Sequence, residues 1–320
     1  MSGIAILGAG AFGTALAVVH AVEGRRVTLW GRDPAAMRAM AETRTNPRLP
    51  GVTLPDGLDC VSGLGTVQGA RALLLAVPAQ QTGDFLRAHG AALPAAPVVL
   101  CAKGIDARDH RLQTEIAAAV LPEARLAALT GPGFADEIAR GLPSALTLAC
   151  ADPALGHELQ ETLSVRRLRL YLTDDVVGAQ LGGALKNVIA IACGMVEGAR
   201  LGHSARAALM TRGFAEMTRL AVALGARAET LAGLCGLGDL SLTCNSAQSR
   251  NFALGTALGA GATRPGGTVE GVATARAACQ LAARHGVEMP IAEAVANVLD
   301  ASWTLSQAMD ALLSRPLREE

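Results

Sequence analysis

A chain of 320 residues is long enough for two domains, each able to bury a core of its own. Its 28 basic and 28 acidic side chains cancel and aromatics make up only 2%, so nucleic acid finds neither an electrostatic nor a stacking signature. Mean hydropathy is positive through abundant Ala, Leu and Val, yet no run of about 18 uninterrupted apolar residues occurs, which argues against an integral membrane contact.

The N-terminus opens directly into a strand-like run, Gly3–Leu7, with no charged n-region, apolar h-region and cleavage site. The cysteines number 7, are dispersed and lack C-x-x-C spacing. They read as reduced thiols that fill cores, and a cytoplasmic protein is expected. The histidines form no H-x-x-x-H or Cys/His cluster, so no protein-built metal site is expected.

Strand-like runs follow at Arg26–Trp30, Ala72–Val77, Val98–Ala102, Leu126–Thr130 and Ala145–Ala149, with Arg167–Tyr171 as one more candidate. Ala-rich helical segments lie between them, such as Gly13–Ala21 and Leu112–Val120. That alternation predicts right-handed βαβ units in a mostly parallel, doubly wound sheet. Beyond about residue 175 the β signals vanish. Helices are predicted over Val176–Gly198, Ala205–Leu224, Asn251–Leu258, Glu270–Arg284, Ile291–Leu299 and Ser306–Leu313, punctuated by Gly225, Gly259–Gly261, Gly286 and Pro290. The fold class is therefore α/β over residues 1–175, Rossmann-like, followed by an all-α domain over 176–320.

Gly8-Ala9-Gly10-Ala11-Phe12-Gly13 is a G-x-G-x-x-G between the first strand and the first helix. In that setting the first glycine makes the tight turn, the second admits a pyrophosphate and the third lets helix and strand pack closely. The phosphates meet N–H groups at the helix N-terminus. The second strand ends in Arg32-Asp33. Asp33 suits a ribose 2′-hydroxyl, whereas Arg32 suits a 2′-phosphate or an adenine face, so NAD or NADP is expected, with NADPH accepted. The plain alternative for Arg32 is a solvated turn residue.

Lys186 sits in Gly182-Gly183-Ala184-Leu185-Lys186-Asn187, a small-residue apolar helix. Burial lowers a lysine pKa toward neutrality and suits it to proton transfer, although a lone lysine can also snorkel to the surface. Lys103 stands just past a buried strand, at the carboxyl edge where open α/β sheets bind ligands. Gly236–Thr243 reads as a Gly-rich loop presenting Asp239, whose bland reading is a helix cap. Ser249-Arg250-Asn251 joins an arginine to a helix start, which suits a phosphate.

These segments, with Thr130-Gly131-Pro132-Gly133-Phe134-Ala135, Thr211-Arg212-Gly213 and Val269-Glu270-Gly271, occur in the order and spacing of one family. The chain resembles the bacterial NAD(P)-dependent sn-glycerol-3-phosphate dehydrogenases over about residues 3–310. The resemblance implies Lys186 as proton donor and acceptor, helped by Lys103, Asp239 and Thr243. It implies cofactor contacts at Gly8, Gly10, Ala11, Phe12, Gly13, Arg32, Lys103, Ala135, Arg250, Thr268 and Glu270. Substrate contacts are implied at Lys103, Gly131, Gly133, Lys186, Asn187, Asp239, Ser249, Arg250 and Asn251. It also implies a small phosphorylated substrate and a homodimer.

Departures from the family pattern are Gly133 where Ser or Thr is usual, Ala11 for a frequent serine, and Ser204 for a common asparagine. Gly133 removes a hydroxyl, leaving backbone contacts from Gly131 or Gly133. Two rival readings stand beside this one. A dehydrogenase of similar architecture acting on a β-hydroxy acid or ketopantoate would also use Arg250. A silent dinucleotide sensor would be expected to lack Lys186 or Asp239.

Overall fold

In a computed structural model, the structure describes residues 3–262 and 269–316. The chain divides into two compact units: the first contains residues up to 103 together with 111–180, the second 104–110 together with 181 onward.

The first unit is built on an eight-stranded sheet in the order β3-β2-β1-β4-β5-β6-β7-β8. The strands are β1 (Ile4–Leu7), β2 (Val27–Trp30), β3 (Leu58–Val61), β4 (Ala72–Leu75), β5 (Val98–Leu100), β6 (Leu126–Thr130), β7 (Ser144–Ala149) and β8 (Leu168–Thr173). All pairings are parallel except β6 with β7, which is antiparallel. Alternate side chains of the central strands feed two cores. Ile4, Ile6, Val27, Leu29 and Leu74 enter one; Ala5, Leu7, Leu73 and Leu75 enter the other. Burial on both faces explains why these strands read as continuous apolar runs. Each buried Leu or Ile contributes about 1.5–3 kcal/mol.

The helices of this unit are α1 (Ala11–Val22), α2 (Pro34–Thr43), α3 (Thr82–His89), α4 (Gln113–Val120), α5 (Ala135–Ala139) and α6 (Pro153–Leu163). Both α2 and α6 start on an Asp-Pro pair. Asp33 accepts from the N–H groups of Ala35 and Ala36 at 2.9 and 3.2 Å, and Asp152 from those of Ala154 and Leu155 at 2.9 and 3.3 Å. From β1 the chain winds to β2 and β3 on one side, then returns to β4 on the other. This makes β1/β4 the topological switch point, where ligands of such sheets bind.

The remaining helices are α7 (Val176–Gly198), α8 (His203–Ala223), α9 (Ala228–Ala232), α10 (Asp239–Cys244), α11 (Arg250–Gly259), α12 (Glu270–Arg284), α13 (Pro290–Leu299) and α14 (Leu305–Leu313). α7 spans the predicted Val176–Gly198. Asp175 caps it, accepting from the Gly178 N–H at 2.8 Å. Its beginning belongs to the first unit because Gln180 ties it to α4: Gln180 Oε1 accepts from the Thr114 N–H at 3.1 Å and Nε2 donates to Thr114 Oγ1 at 2.8 Å. The division therefore falls inside the helix rather than at its start. Among the described residues α7 is the one helix long and apolar enough to cross a membrane, and 89% of its most apolar stretch is buried, as in a core helix.

Glycines set how closely the helices of the second unit approach. A Cβ on Gly194 or Gly198 of α7 would collide with the Phe252 or Thr256 carbonyl of α11. A Cβ on Gly255 or Gly259 of α11 would collide with the Ile191 or Met195 carbonyl of α7. The two helices thus pack backbone to backbone, which fixes the position of the first turn of α11 beside the middle of α7.

Candidate active site

In the first unit the candidate cofactor site is the turn leaving β1. Gly8 has φ +126, and a Cβ there would lie 2.6 Å from the Ala76 carbonyl oxygen; a Cβ on Gly13 would collide with the Gly8 carbonyl. At Gly10 an added Cβ meets nothing within 4 Å, so the backbone there is open to a phosphate. Gly10 caps α1 with extended geometry and no side-chain partner for the first-turn N–H groups, so a dinucleotide pyrophosphate fits this turn.

Lys103 lies past the end of β5. Its Nζ donates to the Gly131 carbonyl at 2.7 Å and stands 5.9 Å from the centre of the Phe12 ring. It thereby links the glycine turn to the Thr-Gly-Pro turn, where Gly131 has φ +126. At Gly133 a Cβ would lie 2.9 Å from Ile138 Cδ1, so that side chain occupies space a serine or threonine would need. Ala135 opens α5, which packs on α1. Arg32 is exposed. Asp33 caps α2 through Oδ1, because the Pro34 start leaves N–H groups that need an acceptor.

In the second unit Lys186 is only 7% exposed and Asp239 1%. Lys186 Nζ lies 2.9 Å from Asp239 Oδ1 and donates to Thr243 Oγ1 at 2.6 Å, and Thr243 Oγ1 donates to Asp239 Oδ1 at 3.3 Å. This closed triangle offsets the cost of burying the ammonium and fixes its direction. Lys186 is therefore buried and paired, and the snorkelling alternative does not hold.

The segment read as a Gly-rich loop is corrected. Leu234–Gly238 is a π-helical turn running into α10, with Asp239 as the first residue of that helix. A Cβ on Gly182 would lie 2.7 Å from the Cys235 carbonyl oxygen. That close approach, one helical turn before Lys186, brings Asp239 to the lysine.

Beside the triangle, Asn251 Nδ2 donates to Asn187 Oδ1 at 2.9 Å, and the Gly271 N–H donates to Asn251 Oδ1 at 3.0 Å. The network joins α7, α11 and the start of α12, where Glu270 is the first residue. Ser249 caps α11 by accepting from the Phe252 N–H at 3.2 Å, and Arg250 follows it, exposed. Arg212 is exposed too, while Gly213 is the residue that packs, against Ile189 of α7. Thr268 lies outside the described residues. Cys244, next to Thr243, is fully buried, and a hydrogen bond with Cys193 followed by burial pushes its thiol well above the ordinary range; burial pushes Cys101 up to about 12. Neither is a thiolate nucleophile at neutral pH.

Two family models match, the NAD-dependent glycerol-3-phosphate dehydrogenase N-terminus over residues 3–156 and its C-terminus over 175–310. The chain belongs to the NAD-dependent glycerol-3-phosphate dehydrogenase family. It is 57% identical to the glycerol-3-phosphate dehydrogenase [NAD(P)+] of Paracoccus denitrificans, covering 99% of each chain, and 55% identical to that of Ruegeria sp., again over 99% of each. Its structure is similar to the crystal structure of glycerol-3-phosphate dehydrogenase from Coxiella burnetii, with a TM-score of 0.93 at 37% identity, covering 98% of this chain and 99% of that one.

Asn46 went unread in the sequence. It sits in an irregular connection after α2 with no motif around it except an Asn-Pro turn signal.

Proposed function

We propose that the protein is an NAD(P)-dependent sn-glycerol-3-phosphate dehydrogenase, reducing dihydroxyacetone phosphate to sn-glycerol 3-phosphate and running the reverse with the oxidised cofactor. The product supplies the glycerol backbone of glycerophospholipids. Family membership supports the reaction, and the closed triangle of Lys186, Asp239 and Thr243 carries the assignment of the proton donor.

Bound at the Gly8–Gly13 turn, a nicotinamide dinucleotide supplies the hydride for C2 of the substrate. Lys186 Nζ gives its proton to the C2 oxygen as negative charge develops there, a contribution of about 10²–10⁴ in rate. Asp239 and Thr243 hold Nζ in one direction, so little reorganisation is needed at the moment of transfer. Lys103 lends a second positive charge. Arg250 and the first-turn N–H groups of α11, with Ser249, Asn251 and Asn187, anchor the phosphate. Binding energy is thus gathered away from the reacting carbon. Gly131 and Gly133 contribute backbone contacts, and Ala11, Phe12, Arg32, Ala135 and Glu270 line the cofactor. The working form is a cytoplasmic homodimer, for which light scattering is expected to give twice the 32.6 kDa chain mass.

The test is oxidation of NADH and of NADPH with dihydroxyacetone phosphate or ketopantoate as acceptor. Turnover with the phosphate ester alone is expected. Turnover only with ketopantoate, or tight cofactor binding with no turnover, would sink the reading.

A further inference from the structure

Between α2 and β3 the chain does not return to the sheet directly. Residues 44–57 make an excursion stiffened by their own bonds. Arg44, in left-handed conformation at φ 52, donates to the Leu54 and Leu58 carbonyls at 3.1 Å each and to that of Pro55. The Leu54 N–H returns to the Arg44 carbonyl at 2.8 Å, and Thr45 bridges Thr53. The one polar side chain the excursion buries is Asn46, 3% exposed. Its Nδ2 donates to Thr14 Oγ1 at 2.7 Å and to the Ala9 carbonyl at 3.3 Å, while its Oδ1 accepts from the Arg48 N–H at 2.9 Å. The amide has one sensible orientation, since reversing it would set oxygen against the Ala9 oxygen.

Ala9 lies between the first two glycines of the turn, and Thr14, fully buried, lies in the first turn of α1. The Ala9 carbonyl and the Gly10 N–H belong to the same peptide plane and point in opposite directions. We infer that Asn46 is a positioning residue for the dinucleotide pyrophosphate: by holding the Ala9 carbonyl it turns the Gly10 N–H away from itself, to serve the anion. A carbonyl free to rotate the other way would present negative charge to the phosphates. The second bond, to Thr14, keeps the amide under the turn when no ligand is bound. The inference rests on the reading that a dinucleotide binds at the Gly8–Gly13 turn.

The experiment measures the NADPH Kd by cofactor fluorescence, the melting temperature, and KM for NADPH and for dihydroxyacetone phosphate. Asn46→Asp keeps the shape and replaces the donor with an oxygen. Its Kd and KM for NADPH and NADH are expected to rise by about tenfold or more, with KM for dihydroxyacetone phosphate moving far less. Asn46→Ala, which removes the donor without adding repulsion, is expected to fall between wild type and Asn46→Asp. If Asn46→Asp does not fold, Thr14 decides: Thr14→Val should weaken NADPH binding and Thr14→Ser should restore it. A folded Asn46→Asp protein with wild-type Kd overturns the inference, as does a Thr14→Ser protein as impaired as Thr14→Val. A wild-type protein that binds neither NADPH nor NADH removes the cofactor reading itself, an outcome seen before any variant is made.

Discussion

The glycine turn of the first unit and the lysine site of the second are made of different material. The turn is backbone: its work is done by Gly8, Gly10 and Gly13, neighbours in sequence, through one positive φ, one open face and one close approach. The lysine site is side chains brought from afar, with Lys186 and Thr243 separated by 57 positions in sequence and Asn187 and Asn251 by 64. Its glycines, Gly182, Gly194 and Gly255, act indirectly by letting helices approach. A backbone site fails when a Cβ is added; a side-chain site fails when a charge is removed or its helices are pushed apart.

The largest expected effect follows from removing one charge. Asp239→Asn leaves the Lys186 ammonium buried without its counter-charge, and a loss of about 3–5 kcal/mol in urea unfolding is expected together with collapse of turnover. Wild-type stability in that variant would mean that the ion pair does not hold the site.

Glycine substitutions sharpen the contrast. Gly194→Ala or Gly255→Ala should cost about 1–3 kcal/mol by overpacking and raise KM for dihydroxyacetone phosphate, because the Asn187–Asn251 pair moves with the helices. Gly10→Ala should melt like wild type yet bind NADPH weakly, whereas Gly13→Ala should lose stability. Equal melting temperatures for the two glycine-turn variants would contradict this division of roles.

One buried group in each unit titrates in the opposite sense to the other. In α1, His20 has no partner on either ring nitrogen, and burial, with Arg25 adding to it, lowers its pKa from 6.5 to about 3. The unfolded chain binds that proton first, so stability is lost as pH falls from 6.5 toward 3. In α8, Glu216 accepts from the Ile291 N–H at 2.9 Å, yet burial raises it from 4.5 to about 7 against the pull of the Ile291 and Ala292 N–H groups and Arg219, with Glu293 adding to the rise. The folded chain holds this proton longer, so stability is lost as pH rises from 4.5 to 7. The two effects oppose one another where their windows overlap, between pH 4.5 and 6.5. Urea titrations should fall toward acid in Glu216→Gln and toward neutral pH in His20→Leu; identical profiles would refute both assignments.

Asp33→Ala gives the smallest expected effect. It should cost about 1 kcal/mol as a lost cap, while the ratio of NADH to NADPH usage stays at its wild-type value. A shift toward NADPH alone would assign Asp33 to the ribose.

The same contrast governs what could be read from the sequence. The glycine turn, the parallel sheet and α7 were legible because each is written in neighbouring residues. β3 was missed: it is an edge strand of Leu-Asp-Cys-Val in which Leu58 alone is fully buried. The π-turn before Asp239 looked like a loop because its shape depends on tertiary contact with Gly182. Asp33 was read for its charge at a strand tip, although Pro34 beside it already signalled a cap. Arg212 drew notice for charge where Gly213 does the packing. No local pattern announces that Lys186 meets Asp239, since that pairing is created by helix packing alone.

The most direct measurement sets turnover against cofactor binding in Lys186→Met. A fall in kcat for dihydroxyacetone phosphate of about 10²–10⁴ is expected, with an NADPH Kd unchanged from wild type. Near-wild-type turnover, or loss of NADPH binding in step with turnover, would contradict the assignment of Lys186 as the proton donor.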